Sequence, residues 1–298
     1  MSVSADGALT FAAPAKVNLY LHVTGRRADG FHTLDSLIAF AGVQDKIKVE
    51  AAEGLSLAVD GPFADGIPVG ADNLVLKAAL GLKDLAGVTA GAAITLTKRL
   101  PVASGLGGGS ADAAAVLRAL MRLWNVEIGE AALMDLAVGL GADVPMCLRG
   151  RAAFAGGIGE ELTPAPALPE GWLVLVNPLT PVSTPEVFAA RQGPYSEPAR
   201  FTETPGNIRA LAELLAARRN DLTVAAESLE PAIGRVLAAL EACPGVLLSR
   251  MSGSGATCFG LFGEVTQATQ AVMGLIHDHP RWWVKAASLE ADATRLDR

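Results

Sequence analysis

The segment PVASGLGGGSADAAAV, residues 101–116, sets the tightest limit on what this chain can be, because four glycines fall within 105–109 between an apolar run and an alanine-rich one. Upstream, AAITLTK (92–98) has the pattern of a strand. Downstream, Ala113, Val116, Leu117, Leu120, Met121 and Trp124 recur at steps of three and four, which predicts a helix over 110–124. Glycine lacks a Cβ and accepts positive φ, so such a turn lets the backbone approach a ligand closely. The helix that follows offers unpaired N–H groups and the positive end of its dipole to an anion. Strand, glycine turn and helix together suit a polyphosphate; a merely flexible connection is the plainer alternative. Two familiar phosphate loops are excluded: no lysine follows the glycines as a Walker A loop requires, and a dinucleotide fingerprint begun at Gly105 fails at Ser110. Ser110 stands where its hydroxyl can cap the helix, touch phosphate or reach Mg²⁺.

A second glycine cluster, MSGSGATCFGLF (251–262), leads into an apolar strand. Tight hairpins use the same residues, so structural turn and ligand contact are equally open at this point.

Apolar residues make up 51% of the 298 and charged residues 18%, ample for large cores. The net charge is −7 with no basic block, which argues against a nucleic-acid partner while leaving a small phosphorylated substrate open. Cys147, Cys243 and Cys258 are widely spaced and odd in number, unlike a disulfide framework or a structural zinc site. The beginning, MSVSADGALTFAAPAK, lacks a basic stretch ahead of an apolar one, and no run is long enough to cross a bilayer. The expectation is a cytoplasmic protein with no membrane partner; oligomeric state is left open.

The length favours two domains. Strand patterns cover 10–23 and, around Gly54, two bursts within 45–60 that read as a hairpin. Helical spacing marks 74–86 and 130–140, then 207–218, 221–229, 231–242 and 266–278; strand-like runs lie at 245–249, 256–262 and 282–289. Proline becomes frequent through 164–205, and 192–206 reads as a long polar loop suited to a lid. The mixture without regular βα alternation predicts an α+β, two-layered fold, with a first domain over 1–160, a second over 161–298 and the site in the cleft between them.

Two charged residues stand inside apolar sequence: Lys16 in FAAPAKVNLYLHV and Asp143 in LAVGLGADVPMCL. Lysine and aspartate are seldom buried without a partner or a function. Lys16 fits the start of an edge strand as well as a catalytic role, and Asp143 fits a helix cap beside Pro145 as well as a base. His22 and His32 read first as hydrogen-bonded structural residues, and His277 with His279 as a solvated helix end without a third metal ligand.

Taken together, PAKVNLYLHV, PVASGLGGGSADAA and MSGSGATCFGLF resemble the three motifs of the GHMP family of small-molecule kinases. Further stretches, PAKVNLYLHVTGRRADGFHTLDSL, DNLVLKA, KRLPVASGLGGGSADAAAVL, GLGADVPMCLRGRAAFAGGIGE and RMSGSGATCFGLF, are co-linear across 14–262 and resemble the branch of that family acting on a cytidine-diphosphate alcohol. The resemblance implies ATP with Mg²⁺ as cofactors. It implies transfer of the γ-phosphoryl group to the 2-hydroxyl of a cytidine-diphosphate methylerythritol, a step of the non-mevalonate isoprenoid route. By motif position Asp143 is the base, and Lys16 keeps it ionised, orients the hydroxyl and offsets developing charge. Pro101, Val102, Ala103, Ser104, Gly105, Leu106, Gly107, Gly108, Gly109, Ser110 and Ala111 enclose the ATP phosphates, with Asn73 and Lys98 near the nucleotide. Asn18, Phe31 and His32 line the cytidine side, and Thr184, Pro185 and Phe188 complete that pocket, Phe31 and Phe188 offering stacking faces. Phe31 stands where the family usually has tyrosine, and Cys147 where phenylalanine is common. The Glu-His pair of the mevalonate and galactose branches is missing from the first motif, which runs Asn-Leu-Tyr-Leu-His.

Overall fold

Strand β1, Leu9–Arg26, is apolar on both faces for most of its 18 residues, so it can only sit inside the molecule. It pairs antiparallel along its length with β2, His32–Ala52, across a short turn closed by the Arg27 N–H donating to the Phe31 carbonyl at 2.7 Å. The computed structural model describes residues 8–297, so residues 1–7, on which the leader reading partly rests, lie outside the described residues. Beyond β2 the chain runs through β3 (Leu55–Asp60), α1 (Leu74–Ala86), β4 (Gly91–Thr97), α2 (Gly108–Leu123), α3 (Glu130–Leu140), α4 (Val144–Arg149), β5 (Ala153–Gly156) and β6 (Glu161–Pro164). The later half contains β7 (Trp172–Asn177), α5 (Thr184–Ala190), α6 (Ile208–Ala216), α7 (Thr223–Leu229), α8 (Ala232–Glu241), β8 (Val246–Met251), β9 (Cys258–Phe262), α9 (Val265–Asp278) and β10 (Trp283–Glu290). A 3-10 turn, Ala293–Asp297, ends it. The class is α+β, as the sequence predicts. No described helix is long and apolar enough to cross a membrane.

The ten strands join in the order β3-β4-β2-β10-β7-β9-β8, with β1 and β5 also pairing with β2, and β6 with β5. β2 is therefore the hub. The hairpin expected around Gly54 is not formed: β3 pairs in parallel with β4, and β4 inserts between β3 and β2. The chain does turn sharply at Gly54, but the Ala92 N–H donates to the Gly54 carbonyl at 3.0 Å, and a Cβ on Gly91 would lie 2.5 Å from that oxygen. A side-chain-free Gly91 lets β4 start directly over the turn and split the two strands.

Three apolar cores follow from this layout. Phe40, Ile47 and Ile94 of the sheet pack against Leu82 of α1 and Val116 and Leu120 of α2. Leu19 and Tyr20 of β1 meet Leu175, Phe259 and Leu211 in a central core. Val174 and Phe262 pack with Ile233, Val236 and Leu275 of the later helices. Alanines 111, 113, 114 and 115 are all buried, and these short side chains let α2 lie close against β1 and β2 without losing helix propensity. β10 joins the halves through Leu289 opposite Ala41 and Glu290 opposite Phe40. Finally Asp297 accepts from the Ala12 N–H (2.9 Å) and pairs with Arg118 (3.2 Å), fastening the last turn to β1 and α2.

Other differences from expectation have local causes. α2 begins two residues early with Gly107 as its N-cap, so Ser110 lies in the first turn and does not cap the helix. β5 and β6, four residues each, are too short for a period to show, and the apolar run of β7 stands among prolines. The 192–206 loop is strapped down over its second half: Ser196 N–H donates to Val23 O (2.9 Å), Ala199 N–H and Arg200 Nε donate to Asp35 (2.8 and 2.7 Å), and Phe201 is buried. Only Gln192, Gly193 and Tyr195 of that loop face the cleft.

Candidate active site

Register breaks in β1 decide where its polar side chains emerge. Pairing with β2 slips between Pro14 and Lys16 and again between Asn18 and Tyr20. Proline cannot donate to the ladder, and such bulges re-aim the residues beside them. Lys16 and Asn18 thus turn into a cleft of about 1030 Å³, although 6% and 3% respectively of their surfaces are exposed. The Lys16 ammonium donates to Asn18 Oδ1 at 2.8 Å; Asn18 Nδ2 donates to Ser36 Oγ at 2.8 Å, and that hydroxyl donates to the Tyr20 carbonyl. The relay fixes the Asn18 amide with its oxygen toward the lysine.

Asp143 precedes α4 at the N-cap position, yet its carboxylate makes no capping bond. It points instead at Lys16, with Oδ2 3.2 Å from Nζ. This resolves the ambiguity in the sequence: Pro145 in the first turn needs no N–H acceptor, and the carboxylate is left for the cleft. Its side chain is 36% exposed against 7% for Lys16, so the pair has one buried and one accessible member.

The glycine turn wraps the other side of the lysine. Gly107 has φ +63°, and a Cβ there would lie 2.6 Å from Lys16 Cγ. The Lys16 N–H donates to the Leu106 carbonyl at 2.9 Å, and Leu106 is fully buried, anchoring the turn. The first α-helical bond of α2 runs from Ala111 N–H to Gly107 O, and no side chain caps the helix. Gly108, Gly109 and Ser110 line the cleft there, where the helix dipole favours anions. Ala103 also lines it, in left-handed backbone at φ +50°, a strained state typical of functional loops. The second glycine cluster forms a turn that braces the first and borders the cleft. Ser252 Oγ donates to Gly105 O (3.0 Å) and accepts from Asn18 N–H (3.1 Å), bracing the first turn. Gly253 and Ser254 face the cleft, where Ser254 Oγ lies 2.7 Å from Thr184 Oγ1.

Phe31, His32, Pro185 and Phe188 also line the cleft and give it an aromatic section. His32 and Phe188 stack with centroids 5.2 Å apart. Phe31, 60% exposed, is no core residue. Burial, with Arg26 and Arg191 adding to it, holds His32 below the usual imidazole range, favouring the neutral ring. His22, in contrast, is structural: Nδ1 meets the Glu197 carbonyl and Nε2 accepts from the Arg219 N–H.

Several expected residues stand behind the lining. Asn73 caps α1, accepting from Val75 N–H (2.8 Å) and donating to Pro68 O (2.7 Å). Pro101 and Ala111 are buried and Val102 points outward. Lys98 is buried beneath Gly108, bonded to Asp45 and, at 2.7 Å, to Asp112. Asp45 also receives the Arg99 and Leu100 N–H groups that open the glycine turn. Burial pushes Asp112 up to about 8, with Asp45 adding to the rise against Lys98. Burial also works against the Lys98 ammonium, but the two carboxylates outweigh it and raise its pKa.

Models of two domains match the chain: "GHMP kinases N terminal domain" over residues 73–151 and "GHMP kinases C terminal" over 200–273. A protein of Paramagnetospirillum magneticum named 4-diphosphocytidyl-2-C-methyl-D-erythritol kinase is 57% identical over 277 residues, 93% of this chain and 97% of its own. The chain belongs to the GHMP kinase family. A second relative of the same name, from Rhodospirillum rubrum, is 54% identical over 96% of this GHMP kinase and 94% of its own length. Among solved structures, a 4-(cytidine 5'-diphospho)-2C-methyl-D-erythritol kinase matches with a TM-score of 0.77 at 37% identity, covering 95% of this chain and 99% of its own. A homoserine kinase from Cytophaga hutchinsonii shares the fold alone, with a TM-score of 0.68 at 18% identity and 98% of each chain covered.

Sequence reasoning overlooked several residues of this GHMP kinase's cleft: Arg26, Arg191, Tyr195 and Ser36 line it, and Ser252 braces it. Arginines in polar stretches carry no periodic signal. Asp112, inside an alanine run, was detectable by the criterion that singled out Lys16, a charge set among apolar residues, whereas Asp45 sits between Gln44 and Lys46 and carries no such signal.

Proposed function

We propose that this GHMP kinase transfers the γ-phosphoryl group of ATP to the 2-hydroxyl of 4-(cytidine 5'-diphospho)-2-C-methyl-D-erythritol. The observation that carries the reading is the Lys16–Asp143 pair at 3.2 Å, set between an uncapped helix N-terminus and an aromatic slot. The relatives named for this kinase support the choice of alcohol. Matches of the two family models on either side of residue 160 support a domain boundary there.

Phosphoryl transfer asks a protein mainly for positioning and charge compensation. The N–H groups at the start of α2 and the turn at 103–109 hold the phosphates. The Asp143 carboxylate takes the hydroxyl proton as the alcohol oxygen attacks. Lys16, aligned by Asn18, orients the hydroxyl and offsets charge on the transferring group. The neutral His32 ring and main-chain groups read the polar edge of the cytosine, while Phe31 and Phe188 give it apolar faces. Mg²⁺ accompanying ATP would supply further charge compensation for the phosphates. Ser110, which lines the cleft, would help hold it, and the described residues contain no cluster of three His, Cys, Asp or Glu to hold an ion by themselves.

The test is ADP release with the purified protein and four alcohols: the cytidine-diphosphate substrate, mevalonate, homoserine and galactose. Turnover with the first alone is expected. Faster turnover with any of the others would overturn the assignment.

A further inference from the structure

The charged residues of the cleft do not balance. Its lining contains Lys16, Arg26 and Arg191 as cations and Asp29 and Asp143 as anions. Both anions are engaged: Asp143 by Lys16 at 3.2 Å, and Asp29 by Arg27 at 2.8 Å. Neither Arg26 nor Arg191 forms an ion pair among the described residues. In a chain of net charge −7 such a pair of uncompensated guanidiniums is a local inversion of sign.

Both side chains are held rather than loose. Arg26, the last residue of β1, donates from Nε to the Gly30 carbonyl at 3.1 Å. Arg191, just after α5, donates to the Gly193 (3.2 Å) and Pro194 carbonyls and lies over the Tyr195 ring, 5.1 Å from its centroid. Its Nε is buried and has no hydrogen-bond partner, an expensive state for a donor. The arginines come from opposite halves of the chain, and both act electrostatically on His32, after burial the second and third causes of its lowered pKa. Both line the cleft that also contains His32 and Phe188.

We propose that Arg26 and Arg191 are the specificity-determining grip on the diphosphate that joins nucleoside to alcohol. This rests on the function proposed above and adds the residues that read its anionic middle. Guanidinium is the side chain best matched to phosphate, offering paired N–H donors in one plane. With the base in the slot, a diphosphate emerging beside His32 meets both guanidiniums, and a small rotation of Arg191 gives its Nε an oxygen to bond. Alcohols without a nucleoside diphosphate gain nothing from this rim.

Titration calorimetry with CDP and with cytidine tests the proposal on the wild-type protein and the double variant Arg26→Ala/Arg191→Ala. The Gln/Gln double variant keeps polar bulk if the alanines disturb folding. CDP affinity should fall by at least about tenfold while cytidine affinity stays within about twofold, because only CDP carries the charge. In turnover, KM for the cytidine-diphosphate substrate should rise by a similar factor, with a much smaller change in kcat and in KM for ATP. Unchanged CDP affinity in both variants, or an equal loss for cytidine, would overturn the role of the arginines while leaving the kinase reading intact. A wild-type protein that binds neither CDP nor cytidine would overturn that reading, and this proposal with it.

Discussion

Lys16 and Asp143, 127 positions apart in the sequence, face each other at 3.2 Å, one nearly buried and the other open to the cleft. An ion pair built for stability would bury both partners or expose both. This one has its cation locked by Asn18 and its anion presented to whatever enters.

Asn18 holds the lysine, so its loss should act on chemistry as well as binding. Asn18→Ala removes the acceptor at 2.8 Å and leaves Ser36 Oγ without its donor. Steady-state kinetics should show kcat reduced by about ten- to a hundredfold, less than for Lys16→Ala, because the ammonium remains but wanders.

Gly107 and Gly109 should separate backbone strain from ligand approach. Gly107→Ala places a Cβ 2.6 Å from Lys16 Cγ at φ +63°, whereas Gly109 has nothing within 4 Å. Gly107→Ala should lower the melting temperature, reflecting about 1–2 kcal/mol of left-handed strain, and should cripple kcat by displacing the lysine. Gly109→Ala should melt as the wild type does but show a raised KM for ATP, since its methyl group meets only the incoming phosphates.

Asp112 should set a pH dependence of stability. Burial lifts it from the ordinary 3.8 to about 8, so the folded protein binds more protons than the unfolded chain between those values. Stability contributed by this group therefore falls as pH rises from about 4 to about 8. Denaturant midpoints measured across that window should decline less steeply in Asp112→Asn than in wild type. An identical slope would place the protonation elsewhere in the Lys98–Asp45–Asp112 cluster.

Asp35 should matter more to stability than its distance from the phosphates suggests. It accepts from Tyr20 Oη at 2.8 Å, from Ala199 N–H and from Arg200, and it is 1% exposed. Asp35→Ala strands these donors and frees the strap across β1 and β2. A loss of about 3–5 kcal/mol is expected in chemical denaturation, with faster proteolysis between Ser196 and Phe201.

Much of this was legible before any coordinates. Periodicity located the helices because α1 and α9 bury one face each, and the glycines marked the turn because a Cβ at Gly107 has no room. What the sequence withheld was pairing. Gly54 reads as a hairpin in every local respect, and only the approach of Gly91, 37 residues later, shows that another strand takes the place between. Asp143 was ambiguous for a similar reason: its N-cap position is local information, while its partner Lys16 lies 127 positions away in the sequence. Arg26 and Arg191 line one cleft from opposite halves of the chain, and no local pattern joins them.

The most direct test is the single-turnover rate of Asp143→Asn with ATP and the cytidine-diphosphate alcohol, measured beside nucleotide binding. The substitution keeps shape and exchanges a proton acceptor for an amide. The rate should fall by about 10²- to 10⁴-fold while ATP binds within about threefold of wild type. A rate close to that of the wild-type protein would contradict the account, because proton acceptance by Asp143 could not then be part of the transfer.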